Sequence, residues 1–128
     1  MKRVVVDTNA FLRFLLNDIP IQVKEVETLL KQAKSLQITA YVPQIVIFEL
    51  NFILDKYYHF KKVEIIDKLK SIIQSSYLYV QDKTIFSSAL RIYEQNSISI
   101  ADSFVIAWAK EKDADLFTFD KGLKKIML

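Results

Sequence analysis

The stretch Lys2-Arg3-Val4-Val5-Val6-Asp7-Thr8-Asn9 decides how the rest of the chain is read, because a β-branched run is stopped there by an acid and two polar residues. Branched side chains fit a pleated, covered surface, so Lys2–Val6 is expected to be a buried strand. Thr8 and Asn9 then offer capping side chains to a helix from about Ala10 to Asn17. Further along, the same strand-then-helix order returns. Pro20 suits the first turn of a second helix reaching about Ser35, with Val23, Val26, Leu29, Leu30 and Ala33 at helical spacing. Gln37–Val42 is a second expected strand, and Pro43 opens a long apolar helix toward Tyr58. An amphipathic helix over Lys62–Gln74, a third strand over Tyr77–Val80 and a helix over Asp82–Gln95 follow. Ser99 caps a helix reaching Lys110, Leu116–Phe119 is a fourth expected strand, and Lys121–Ile126 a last short helix. A fifth strand would have to come from the final three or four residues.

Short apolar strands alternating with helices predict an α/β fold whose parallel sheet is covered on both faces. Ligands of such sheets bind at the carboxyl ends of the strands. With 128 residues and no linker or repeat, the chain is expected to form one domain over 1–128. Hydrophobic residues at 52% are ample for a core.

Composition removes several chemistries. The absence of Cys excludes disulfide frameworks and thiolate chemistry, and a single His, His59, excludes histidine-rich metal sites. A single Gly, Gly122, excludes phosphate-cradling loops that need several glycines. The longest apolar run, Phe104–Ala109, is six residues, far short of the roughly 20 that span a bilayer. Asp7 interrupts the N-terminal apolar stretch after three valines, so no signal peptide is read and a soluble, cytoplasmic protein is expected.

Most of the fifteen acids have ordinary neighbours, and Glu25, Asp55, Asp67, Asp82, Glu111 and Asp113 each lie beside a lysine. Four stand apart. Asp7 and Asp120 each end an apolar run, Val4–Val6 and Leu116–Phe119, where an acid either starts a helix or binds a ligand. Glu49 sits in Ile45–Leu54, where only it and Asn51 are polar, so it must face a polar cleft, a structural cation or a metal. Ser99-x-x-Asp102 resembles a capping box, which also leaves the Asp102 carboxylate near a helix N-terminus. Two carboxylates 4 Å apart repel by about 4 kcal/mol at an effective dielectric near 20, so a cluster of them needs protons or cations. All-oxygen ligation suits Mg²⁺ or Mn²⁺. Setting these four acids aside leaves eighteen Lys and Arg against eleven acids, a formal +7 that suits a polyanionic substrate.

In order, Asp7-Thr8-Asn9 after a β-run, Glu49 in an apolar helix, Ala101-Asp102-Ser103-Phe104-Val105-Ile106-Ala107 and Thr118-Phe119-Asp120 resemble the PIN-domain family. In size the chain is most similar to VapC-type toxin ribonucleases. The resemblance implies a three-layer α/β/α sandwich with a central parallel sheet of four or five strands and an acidic pocket at its carboxyl edge. It implies cleavage of single-stranded RNA with Mg²⁺ or Mn²⁺. Asp7 and Asp102 match the principal metal ligands, Glu49 and Asp120 complete the site directly or through water, and Thr8, Asn9 and Thr118 match the supporting polar positions. VapC-type members commonly form homodimers and are held inactive by a cognate antitoxin. Ser103 departs from the pattern, standing where a small Ala is usual.

Rival readings are a catalytically idle PIN-fold RNA-binding or scaffold protein, and a non-toxin RNA-processing nuclease. A phosphatase is disfavoured because Asn9 stands where such an enzyme needs a second Asp, and a receiver because Tyr79-Val80-Gln81-Asp82 is a poor phosphoacceptor strand. Lys121, Lys124 and Lys125 either grip phosphates or form a solvated helix face. Ala10–Leu16 is apolar almost all round, which deep burial, an antitoxin segment or a dimer mate would explain. Tyr57-Tyr58-His59-Phe60 either ends a core helix or stacks RNA bases.

Overall fold

A computed structural model describes residues 2–128, which divide into two compact units, one ending at Lys83 and one beginning at Thr84. The first unit holds a three-stranded parallel sheet in the order β1-β2-β3, with β1 Lys2–Val5, β2 Ile38–Val42 and β3 Leu78–Val80. Each crossover is helical, as parallel strands require. Helices α1 (Thr8–Leu16) and α2 (Pro20–Lys34) join β1 to β2, while α3 (Gln44–Phe52) and α4 (Lys62–Ile73) join β2 to β3. The second unit holds α6 (Ile100–Glu111) and α7 (Lys121–Met127), preceded by α5 (Lys83–Gln95), whose first residue closes the first unit.

Period-two alternation sorts the sheet. Ile38, Ala40, Val42, Leu78 and Val80 are buried, whereas the paired row Val5, Tyr41 and Tyr79 is exposed. The first unit thus departs from the expected cover on both faces: its helices bury one. Its core is mainly aliphatic, with Ile47, Leu50, Leu54, Leu69 and Ile73 fully enclosed together with the ring of Phe11. In the second unit Phe104 is the aromatic centre, its ring 4.8 Å from that of Phe86 and 5.8 Å from that of Trp108.

Helix boundaries follow local chemistry. Helix α1 begins at Thr8, two residues before the expected start, because the Asp7 side chain caps it; Thr8 and Asn9 do not. Pro20 stands in the first turn of α2, where its missing N–H leaves nothing unsatisfied. The apolar helix after Pro43 changes pitch before reaching Tyr58: residues Ile53–Tyr57 form a π-helical turn, with Tyr58 N–H donating to the Ile53 carbonyl at 3.1 Å. His59, with φ 57°, then turns the chain out of the helix.

The largest correction concerns Leu116–Phe119. This stretch is not a strand, and no fifth strand follows, since the residues after it form α7 and three strands are all the described residues contain. Phe117 is 89% exposed and Phe119 87% exposed, their rings 5.6 Å apart edge to face. An apolar run becomes a strand only when a neighbour accepts and donates its ladder bonds. These burial differences predict stability directly. Leu69→Ala should lower the unfolding free energy by about 2–5 kcal/mol in urea titration. Phe119→Ala should change it by no more than about 0.5 kcal/mol, and a loss of several kcal/mol would show that Phe119 is buried.

Candidate active site

Two acids lie in each unit. In the first, Asp7 stands two residues beyond the last residue of β1 and caps α1, its Oδ1 accepting from the Ala10 N–H at 3.0 Å. One carboxylate oxygen is thereby used and the side chain remains exposed. Asp7 lines a cavity of about 370 Å³ with Val4, Val6, Ala10, Val26 and Glu25. Glu25 was set aside in the sequence as one more acid beside a lysine, and no pattern there distinguishes it. Thr8 is buried as the first residue of α1, and Asn9 is exposed.

The structure gives Glu49 access to solvent. It is exposed, on the same side of α3 as exposed Ile45 and Phe52, which lie four residues before and three after it. The polar residue buried among the apolar ones is Asn51. A carboxylate with access to water needs neither a partner cation nor a metal to be tolerated, so apolar neighbours in sequence did not amount to burial. Helix α1, headed by Asp7, packs against α3, which carries Glu49.

In the second unit, Asp102 is half-buried in the first turn of α6, its N–H donating to the Ser99 Oγ at 3.0 Å. The expected Ser99 cap is therefore present. Ser103 is buried, and its Oγ donates to the Ser99 carbonyl at 2.8 Å. That bond satisfies the buried hydroxyl. Asp120 caps α7: its Oδ1 accepts from the Leu123 N–H at 3.0 Å, while its own N–H donates to the Thr118 Oγ1 at 3.1 Å. A Cβ on Gly122 would lie 3.1 Å from the Asp120 Oδ1, so the single glycine of the chain leaves room for the capping carboxylate. Helix α7 packs against α6, and its Lys121, Lys124 and Lys125 are all exposed.

Among the described residues, none of the four acids is paired with a lysine or arginine. Within each unit, three or more acids do not gather into a ready cage for a metal, again among the described residues. The donor set is oxygen only, with carboxylates held at one atom or none, and such groups fit a hard divalent cation. No helix among the described residues is long and apolar enough to cross a membrane.

The family model for the PIN domain matches residues 4–127. No curated protein matches the chain. The general activity of that family is metal-dependent cleavage of nucleic acid. By this match over nearly its whole length, the chain belongs to the PIN-domain family.

Proposed function

We propose that this protein is a Mg²⁺- or Mn²⁺-dependent endoribonuclease that cleaves single-stranded RNA in the cytoplasm as the toxin of a VapBC-type pair. The observation that carries the reading is the match to a nuclease family over residues 4–127, in a chain whose Asp7, Glu49, Asp102 and Asp120 are each exposed or half-exposed and so open to a ligand.

Asp7 and Asp102 would be the principal metal ligands, with Glu49 and Asp120 completing the set. When bound, a divalent cation acidifies water and offsets charge developing on phosphate oxygens during hydrolysis. The protein's own part is positional. Caps on α1 and α7 fix Asp7 and Asp120 in one rotamer each, and Thr118 and Gly122 fix the loop that carries Asp120. Asn9 supports the first acid. Lys121, Lys124 and Lys125 would hold phosphates flanking the scissile bond.

Asparagine separates the two duties of an N-cap acid, because it caps about as well as aspartate but carries no charge. Asp7→Asn should therefore leave the unfolding free energy within about 0.5 kcal/mol of wild type. Cleavage of a labelled single-stranded RNA should fall by at least about a hundredfold, the loss expected when one electrostatic stabiliser of the transition state is removed. Asp102→Asn should behave alike, and unchanged cleavage in both would favour the idle RNA-binding reading. Mn²⁺ should raise the melting temperature of wild type and not of Asp7→Asn, since a ligand stabilises only the state that binds it.

The partner reading rests on α1, where Phe11 and Leu12 are buried but Phe14 is exposed. A dimer mate or an antitoxin segment would cover that face. Size-exclusion chromatography across concentrations should show a dimer that Phe14→Glu converts to a monomer; a monomer at high micromolar concentration would remove the homodimer from the proposal.

A further inference from the structure

The strongest feature not used by the acid site lies where α3 gives way to the π-helical turn. Phe52 is 64% exposed and Tyr57 is 74% exposed, in spite of the cost of leaving large rings in water. The Tyr57 and Tyr58 rings meet edge to face at 5.1 Å, and Tyr58 lies 6.4 Å from Phe60. The segment Lys56–Lys62 holds three lysines, four ring-bearing side chains and no acid. Lys56 pairs with Asp55 at 3.6 Å, but an exposed pair of this kind is weak and leaves the ammonium available.

Place and charge together name the occupant. Phe52 shares the exposed side of α3 with Glu49, and Tyr57 follows it by five residues, about one turn of a π-helix. From Glu49 to Tyr57 is eight residues, about 12 Å along the axis and so about three or four stacked nucleotides. Exposed rings interleaved with lysines are what single-stranded nucleic acid needs: every base has a face to stack, and every phosphate a charge to neutralise. We infer that Phe52, Tyr57 and Tyr58, with Lys56 and Lys61, form a base-stacking ridge that grips single-stranded RNA beside Glu49. The inference rests on RNA being the substrate, as proposed above, and gives the site a means of holding the strand that does not depend on metal.

The test is binding without cleavage. Fluorescein-labelled octauridylate is titrated in EDTA and followed by anisotropy, with wild type, Tyr57→Ala/Tyr58→Ala and Tyr57→Phe/Tyr58→Phe. The alanine pair should lose about ten- to a hundredfold in affinity, while the phenylalanine pair, which retains both rings, stays within about threefold. Lys56→Gln/Lys61→Gln should flatten the slope of log affinity against log salt by about 1.4, the share of two phosphate contacts on a single strand. All these residues are exposed, and urea titration should confirm that each variant folds as wild type. If the alanine pair binds as wild type while Asp7→Asn has lost cleavage, the ridge is overturned and the nuclease reading stands. If the alanine pair loses affinity and wild type cleaves nothing in Mn²⁺, the ridge stands and the catalytic reading fails. If the alanine pair converts a dimer to a monomer at unchanged RNA affinity, the ridge is a contact between copies and the inference is overturned.

Discussion

A helix begins with backbone N–H groups that have no partner inside it, and this deficit organises the acids of this protein. Asp7 and Asp120 each give one oxygen to such a group, and Ser99 does the same for the turn that holds Asp102. Every cap contributes about 1 kcal/mol to its helix and, in the same contact, removes the rotational freedom of the side chain. An acid held this way has one oxygen committed and one still able to take a ligand. The stability of the helix and the readiness of the site therefore come from one hydrogen bond rather than from competing ones.

Around these caps, small residues do specific work. Ser103 would leave a buried hydroxyl unsatisfied were it not turned back onto the Ser99 carbonyl, a bond that adds a second tie to the same capping residue. Gly122 lies in the first turn of α7, where alanine would favour the helix more. Its hydrogen leaves the space that a Cβ would take from the Asp120 carboxylate. Helix propensity has yielded there to the placement of an acid, a local inconsistency of the kind found at functional positions.

How much of this was legible in the sequence depends on whether the cause was local. Ser99 and Pro20 stand where their side chains alone place them, and all seven helices and three of the expected strands are present. Helix α1 starts two residues earlier than expected because Asp7, Thr8 and Asn9 are all competent caps and only backbone geometry chooses among them. The exposure of Glu49 was not legible either. Its neighbours in sequence are apolar, but a helix distributes nine residues over all its sides, and Ile45 and Phe52 share the exposed one. Leu116–Phe119 fails for a different reason: hydrophobic pattern reports what a segment would bury, not whether another backbone lies beside it.

Those exposed apolar residues bear on how charge is divided along α3. Glu49 lies between Ile45 and Phe52, and the next cations along the chain are Lys56, Lys61 and Lys62. Beyond Glu49 come one exposed ring, Phe52, then the Asp55–Lys56 pair, then the rings of Tyr57 to Phe60, and last Lys61 and Lys62. An acid alone would repel a phosphate chain, and lysines alone would neutralise the acid if they sat within a few ångströms of it. The seven residues from Glu49 to Lys56, about two turns and about 10 Å along the axis, weaken both effects, since an exposed pair at that distance is near the screening length of physiological salt. Phe52, within that interval, has no charge to exchange with either end, and the charge of Asp55 is met by Lys56 beside it. A lysine at position 52 would instead bring a cation within one turn of Glu49, near enough to draw its carboxylate into an ion pair.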